Sequence, residues 1–121
     1  MLSKPLDTTH FDRMLSGEKT CEGRPTEKIA EWRVSKGDKM KFIDANDASR
    51  QIIVKIVDIT RHDDFGEAFD KYGETLVLGT RETAIALYDK YPGYTDMVAG
   101  RGPKEIPGAS VLVIEVVEST E

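Results

Sequence analysis

The run from Gln51 to Thr60 places β-branched apolar side chains on both faces of an extended chain. Ile52, Val54 and Ile56 fall on one face; Ile53, Val57 and Ile59 fall on the other, beside Lys55. A half-exposed strand alternates apolar and polar residues. A run apolar on both faces belongs at the centre of a sheet that is covered on each side. Small barrels with flanking helices produce this pattern.

Other strands gather around it. Lys39 to Asp44 reads as a strand with Met40 and Phe42 on one face, opened by a tight turn at Lys36-Gly37-Asp38-Lys39 and followed by a hairpin loop at Asn46-Asp47. Val111 to Val117 reads as the last strand, with Leu112, Ile114 and Val116 inward. Leu2 to Pro5 is an edge strand or a lead-in. Helices follow from the 3.6-residue period. Phe11, Met14 and Leu15 form one stripe, with Thr8 or Thr9 as cap, Asp12 as acidic partner and Gly17 as stop. Phe65, Ala68, Phe69 and Tyr72 form a second, capped by Asp64 and ended by Gly73. A third runs roughly from Thr80 to Lys90, with Ala84, Ile85, Tyr88 and Tyr91 on its stripe, and breaks at Tyr91-Pro92-Gly93-Tyr94. Residues 95–109 are rich in Gly and Pro and read as a loop. Residues 26–36 stay open between one helical turn and an irregular loop. The expected class is α+β with a small, curved or closed sheet.

At 121 residues the chain is expected to form one domain, 1–121. Its 39% hydrophobic and 32% charged content is that of a folded domain rather than a disordered one. One cysteine excludes an internal disulfide framework and fits a reducing compartment. No apolar run approaches the roughly 20 residues that span a bilayer, and Met1 to His10 holds no long apolar segment, so the expected compartment is the cytoplasm. Charge divides unevenly. Residues 1–61 carry twelve Lys/Arg against ten Asp/Glu, and residues 62–121 carry five against twelve. The total of -5 argues against bulk, sequence-blind binding to nucleic acid; no DNA partner is expected, and an anion-binding surface is to be sought in the first half.

Between the first helix and Pro25 stands the octet Gly17-Glu18-Lys19-Thr20-Cys21-Glu22-Gly23-Arg24. It packs charges of both signs, a threonine and a cysteine together without hydrophobic cover. As an extended run from Lys19 to Arg24 it points Thr20, Glu22 and Arg24 one way and Lys19, Cys21 and Gly23 the other. Lys19 can serve as anion anchor, charge partner or, if desolvated, base. Glu22 can pair with it or orient a water, and Arg24 can fork onto phosphate or carboxylate. The alternative is a surface hairpin with a satisfied salt bridge. Cys21 reads as structural, since no histidine is near it in sequence. His10, Cys21 and His62 lack metal-ligand spacing, and no phosphate-cradling or dinucleotide fingerprint is present, so no metal or cofactor is expected. Trp32, the one tryptophan, is either a lid over the core edge or a base-stacking platform.

The helix, the motif G-x-K-T-x-E-x-R and the strand-opening Gly37-Asp38 together resemble the ASCH domain family. The central strand at 51–60, the Tyr91-Pro92-Gly93-Tyr94 break and the final strand extend the resemblance over nearly the whole chain. It implies a PUA-like fold, a small, mostly antiparallel β-barrel flanked by short helices, with a cleft beside the barrel that takes RNA or a nucleotide-like ligand. Some small bacterial members are amidohydrolases that deacetylate N4-acetylcytidine with a lysine of this motif, a threonine three residues on and a glutamate from the helical region. Other members have been regarded as RNA binders or ribonucleases. Lys19 matches the lysine, and Glu74, or alternatively Glu67, stands at about the right place for the glutamate. Glu22 stands where those enzymes carry threonine. Three functions follow: an RNA- or nucleotide-binding module with Thr20, Arg24, Trp32 and Tyr94 as contacts; a small hydrolase with Lys19, Glu22 and Glu74 as its acid–base groups; or an interaction domain using the acidic second half. The first is favoured.

Overall fold

The computed structural model describes residues 1–90 and 92–120. Its elements in order are β1 (Leu2–Leu6), α1 (Thr8–Ser16), β2 (Cys21–Pro25), α2 (Thr26–Trp32), β3 (Lys39–Asp44), β4 (Asp47–His62), α3 (Phe65–Tyr72), a 3-10 turn at Gly73–Thr75, α4 (Arg81–Asp89), α5 (Tyr94–Val98) and β5 (Ala109–Ser119). The strands form one curled, mixed sheet, a half-barrel, in the order β1-β3-β4-β5-β2. β1 runs parallel to β3, and every other pair is antiparallel. β1 and β2 are the two edges, so the sheet carries an open seam between them.

Sequence periodicity and structure agree on α1, α3, α4, β3 and the existence of β4. The α1 cap differs: Asp7, one residue before the helix, accepts the Thr9 backbone N–H, in place of Thr8 or Thr9. Asp64 caps α3 through the Glu67 N–H, and Thr80 caps α4 through that of Thr83. Residues 26–32, left open by the sequence, form α2. The stretch 95–109 is not all loop, because α5 begins at Tyr94. A five-residue helix has little stability of its own. This one is held by Tyr94, which is buried against Phe65 at 5.3 Å between ring centroids. Tyr91, expected on the α4 stripe, lies outside the described residues.

The strand covered on both faces is β5, not β4. β4 does sit centrally, and Ile52, Val54 and Ile56 are fully buried; Ile53 and Val57 on its other face are only half-buried, and Lys55 is exposed. Along β5, Leu112 and Ile114 enter the inner core with Phe11, Met14, Met40 and Phe42, brought by α1 and β3. Ala109 and Val111 enter an outer core with Phe65, Ala68, Ala84 and Tyr88, brought by α3 and α4. β4 is irregular against β5, with register shifts at Ile53/Val54 and at Ile56/Asp58. The second leaves Val57 unpaired, and Ile59 then packs towards the inner core while His62 is buried opposite Ala109.

β2 lies tight against the outer core. A Cβ on Gly23 would sit 2.8 Å from both the Phe65 ring and the Tyr88 hydroxyl and 3.2 Å from Leu76. Phe65 and Tyr88 are stacked at 3.6 Å and cannot retreat without opening the cluster. Gly23→Ala should therefore destabilise the fold by about 1–3 kcal/mol through overpacking, read as a lowered urea midpoint at unchanged slope.

Candidate functional site

Gly17 ends α1 in a left-handed conformation at φ 88°, and the chain turns back on itself: the Lys19 N–H donates to Arg13 O, and the Thr20 N–H to Thr75 O. Regular extension begins only at Cys21. Lys19 is therefore outside the alternation that a strand from 19 to 24 would impose. Its side chain does not point away from Glu22; Nζ lies 3.8 Å from Glu22 Oε1. Cys21 and Gly23 do face the outer core, and Glu22 and Arg24 face the seam.

Lys19 and Glu22 are 2% and 3% exposed, deeper than a surface hairpin would hold them. Lys19 Nζ donates to Cys21 O at 2.6 Å and to Leu76 O. Arg24 Nη1 donates to Glu22 Oε1 at 2.8 Å and to Gly23 O at 2.7 Å. Two cations thus share one carboxylate. The second carboxylate oxygen, Glu22 Oε2, is buried without a hydrogen-bond partner, as is His10 Nδ1. Both residues line one cavity of ≈ 70 Å³ with Lys19, Arg24, Pro5 and Tyr88. The cavity lies in the seam, between β1 and β2, and α4 closes it.

Electrostatics follow from this packing. Burial lowers the Lys19 pKa below its ordinary value, with Glu22 opposing and Arg24 reinforcing. Burial pushes the Glu22 carboxyl up, but Arg24 and then Lys19 outweigh it, and the group titrates below its ordinary value. The His10 pKa falls, through burial first and Lys19 second.

A second groove of ≈ 490 Å³ continues the seam and is lined by Lys4, Pro5, Arg24, Pro25, Lys28, Trp32, Pro92 and Met97. Trp32 is half-buried, packs on the edge of the inner core, and has Lys4 Nζ 5.2 Å and the Arg24 guanidinium 5.6 Å from its ring centroid. Lys28 pairs with Glu31 at 3.3 Å in an exposed contact.

Of the residues expected at the site, Lys19, Glu22, Arg24 and Trp32 are brought together along the seam. Thr20 is beside them in sequence, yet its hydroxyl lies against Cys21 and its backbone is tied to Thr75 and Ile114. Glu74 stands elsewhere. It is exposed, its carboxylate accepts from the Gly79 N–H at 3.4 Å, and its carbonyl accepts from Arg13. The alternative, Glu67, lies 3.7 Å from His62 on α3. Tyr94 is not an open stacking platform: it is 6% exposed, and burial first pushes its phenol up to about 12. Cys21 is buried in the outer core. Sequence reasoning missed His10, Lys4 and Lys28 as neighbours of the octet. His10 was findable as the residue beside core Phe11 on the helix leading into the motif. Lys4 and Lys28 carried no signal beyond the basic first half. Among the described residues no group of His, Cys, Asp and Glu is placed to hold a metal ion, and no helix is long and apolar enough to cross a membrane.

No family model matches the sequence, and no curated protein is similar to it in sequence. Solved structures are similar in fold. The hypothetical protein PH0355 superposes with a TM-score of 0.73 at 18% identity, covering 96% of this chain and 98% of its own. An ASCH protein from Zymomonas mobilis superposes at 0.58 and 14% identity over 97% of this chain and 70% of its own. At such identities the likeness is one of fold: the chain has an ASCH-like, PUA-like architecture.

The Glu22 carboxyl should titrate below 4.5 when followed by side-chain carboxyl NMR, and Arg24→Met should move it upward by removing its strongest favourable partner. The sign for stability follows. Glu22 is depressed in the folded chain, so its contribution is complete above about pH 4.5 and is lost as the pH falls through the folded value.

Proposed function

We propose that this ASCH-like chain is a recognition module for RNA or a nucleotide, with the ligand lying along the seam between β1 and β2. The observation that carries this reading is the charge of the seam. Among the described residues its walls bring Lys4, Lys19, Arg24 and Lys28 against Asp7 and Glu22, with Glu31 paired to Lys28, in a chain of net charge -5. Trp32 adds an aromatic surface among those cations. Stacking surface plus a cationic groove is how single-stranded nucleic acid is held without a base-pairing partner. The buried Glu22 Oε2 is an acceptor without a donor, which suits a base or sugar N–H or O–H at the end of the groove.

The hydrolase alternative has less support. Burial lowers the Lys19 pKa, but two of its N–H groups are engaged by backbone carbonyls and it lies beside a carboxylate, contacts that a base would have to release. The helical glutamate that such chemistry would call on is directed elsewhere.

The test is fluorescence anisotropy with a short single-stranded RNA across a salt series. If Lys4, Arg24 and Lys28 each meet a phosphate, the logarithmic salt slope should be near -2, roughly a 20-fold loss of affinity between 50 and 200 mM salt. Lys28→Ala should reduce the slope by about 0.7. Trp32→Ala should weaken binding at all salts by about 1–3 kcal/mol. Affinity indifferent to salt and to both substitutions would dispose of the proposal.

A further inference from the structure

A third cavity, of ≈ 350 Å³, lies between α1 and α4. α1 supplies Thr9, His10 and Arg13; α4 supplies Thr83, Ala86, Leu87 and Lys90; the segment between the 3-10 turn and α4 supplies Val77 and Leu78. Among the described residues no carboxylate lines it. Its floor is apolar, and Leu78 at its rim is 57% exposed, one of the large hydrophobic side chains left open to solvent. Such a volume is at the small end of pockets that take small molecules.

The cationic wall is unusual. The Arg13 side chain is only 11% exposed. Nη2 donates to Glu74 O at 2.8 Å, but Nε and Nη1 are buried with no hydrogen-bond acceptor. Glu18 Oε2 lies 3.5 Å from Nε without completing a hydrogen bond, and Glu18 is itself 67% exposed. A buried guanidinium with unmet N–H groups is costly. Nε and Nη1 lie on different edges of the guanidinium, so a carboxylate or phosphate meets one of them at a time, in parallel with the second Nη2 proton on that edge. Exposed Glu18 holds the place of such an anion weakly and can swing out to release it.

We propose that this groove between α1 and α4 binds a small amphiphilic anion, a carboxylate or phosphate monoester with a short apolar body. The anion takes the Arg13 fork with Lys90 beside it, and the apolar body lies on Val77, Leu78 and Leu87. The site is separate from the nucleic-acid seam, but His10 and Leu87 line both cavities and form their common wall.

Four probes decide the matter on the full chain: hexanoate, hexyl phosphate, hexanol and inorganic phosphate, followed by amide chemical shifts. Hexanoate or hexyl phosphate should give saturable shifts in α1, α4 and residues 76–78, and should raise the unfolding temperature. Hexanol and inorganic phosphate should bind at least about tenfold more weakly, since each lacks one half of the recognition. Arg13→Met should lower hexanoate or hexyl phosphate affinity by about tenfold or more. Leu78→Asp, a change at an exposed position, should do the same without disturbing the fold. Hexanol binding as well as hexanoate and hexyl phosphate, or no saturable shift from either anion, would overturn the proposal. Shifts confined to Lys4, Arg24 and Trp32 would do so as well, and would leave the seam reading untouched.

Discussion

Everything in this fold hangs on a strand that is rooted in two cores. β5 sends Leu112 and Ile114 into the inner core and Ala109 and Val111 into the outer one. It is hydrogen-bonded to β4 on one side and to β2 on the other. β2 has no other strand beside it, so the position of Glu22 is inherited from Leu112, its partner across the ladder. Burial on both faces leaves β5 no alternative register, because a shift by one residue would exchange the contents of the two cores. A polar site can therefore be held in place by a strand that contains no polar site residue of its own.

The seam accepts an energetic penalty that an ordinary surface avoids. Removing a carboxylate and two cations from water is unfavourable, and pairing recovers it only when the geometry is good. Here one oxygen of Glu22 serves both cations and the other serves none. A group selected for stability alone would be replaced by apolar side chains of similar volume. The uneven pairing is better matched to recognition, where an incoming polar group completes it. Loss of one member of such a group strands the rest, typically at about 3–5 kcal/mol. On the proposed reading, a bound polar group is then a structural member of the site.

The elements with a strong period were legible in the sequence. Phe11, Met14 and Leu15 mark α1; Phe65, Ala68, Phe69 and Tyr72 mark α3; each stripe reports its own burial. The octet was legible as a concentration of charge at a turn. Its internal arrangement was not, because a backbone turn before Cys21 takes Lys19 out of the alternation, and that turn is set by long-range bonds from Thr20 to Thr75 and Ile114. β4 and β5 both read as apolar, and only the placement of α3 and α4 decides which of them is covered twice. α5 was hidden because its order comes from one tyrosine packing on α3, not from propensity. Glu74 was expected from its distance along the chain, and chain distance says nothing about which way a short 3-10 turn aims a carboxylate.

The open seam leaves the sheet with two unpaired rims, and bare rims of this kind ordinarily recruit further strands, from the same chain or from another molecule. Each rim here carries a proline, Pro5 in β1 and Pro25 in β2. Neither rim can present an unbroken row of donors. The two imino acids therefore act as spacers against zippering. They keep the half-barrel from closing along its own seam, and they keep neighbouring molecules from joining it edge to edge.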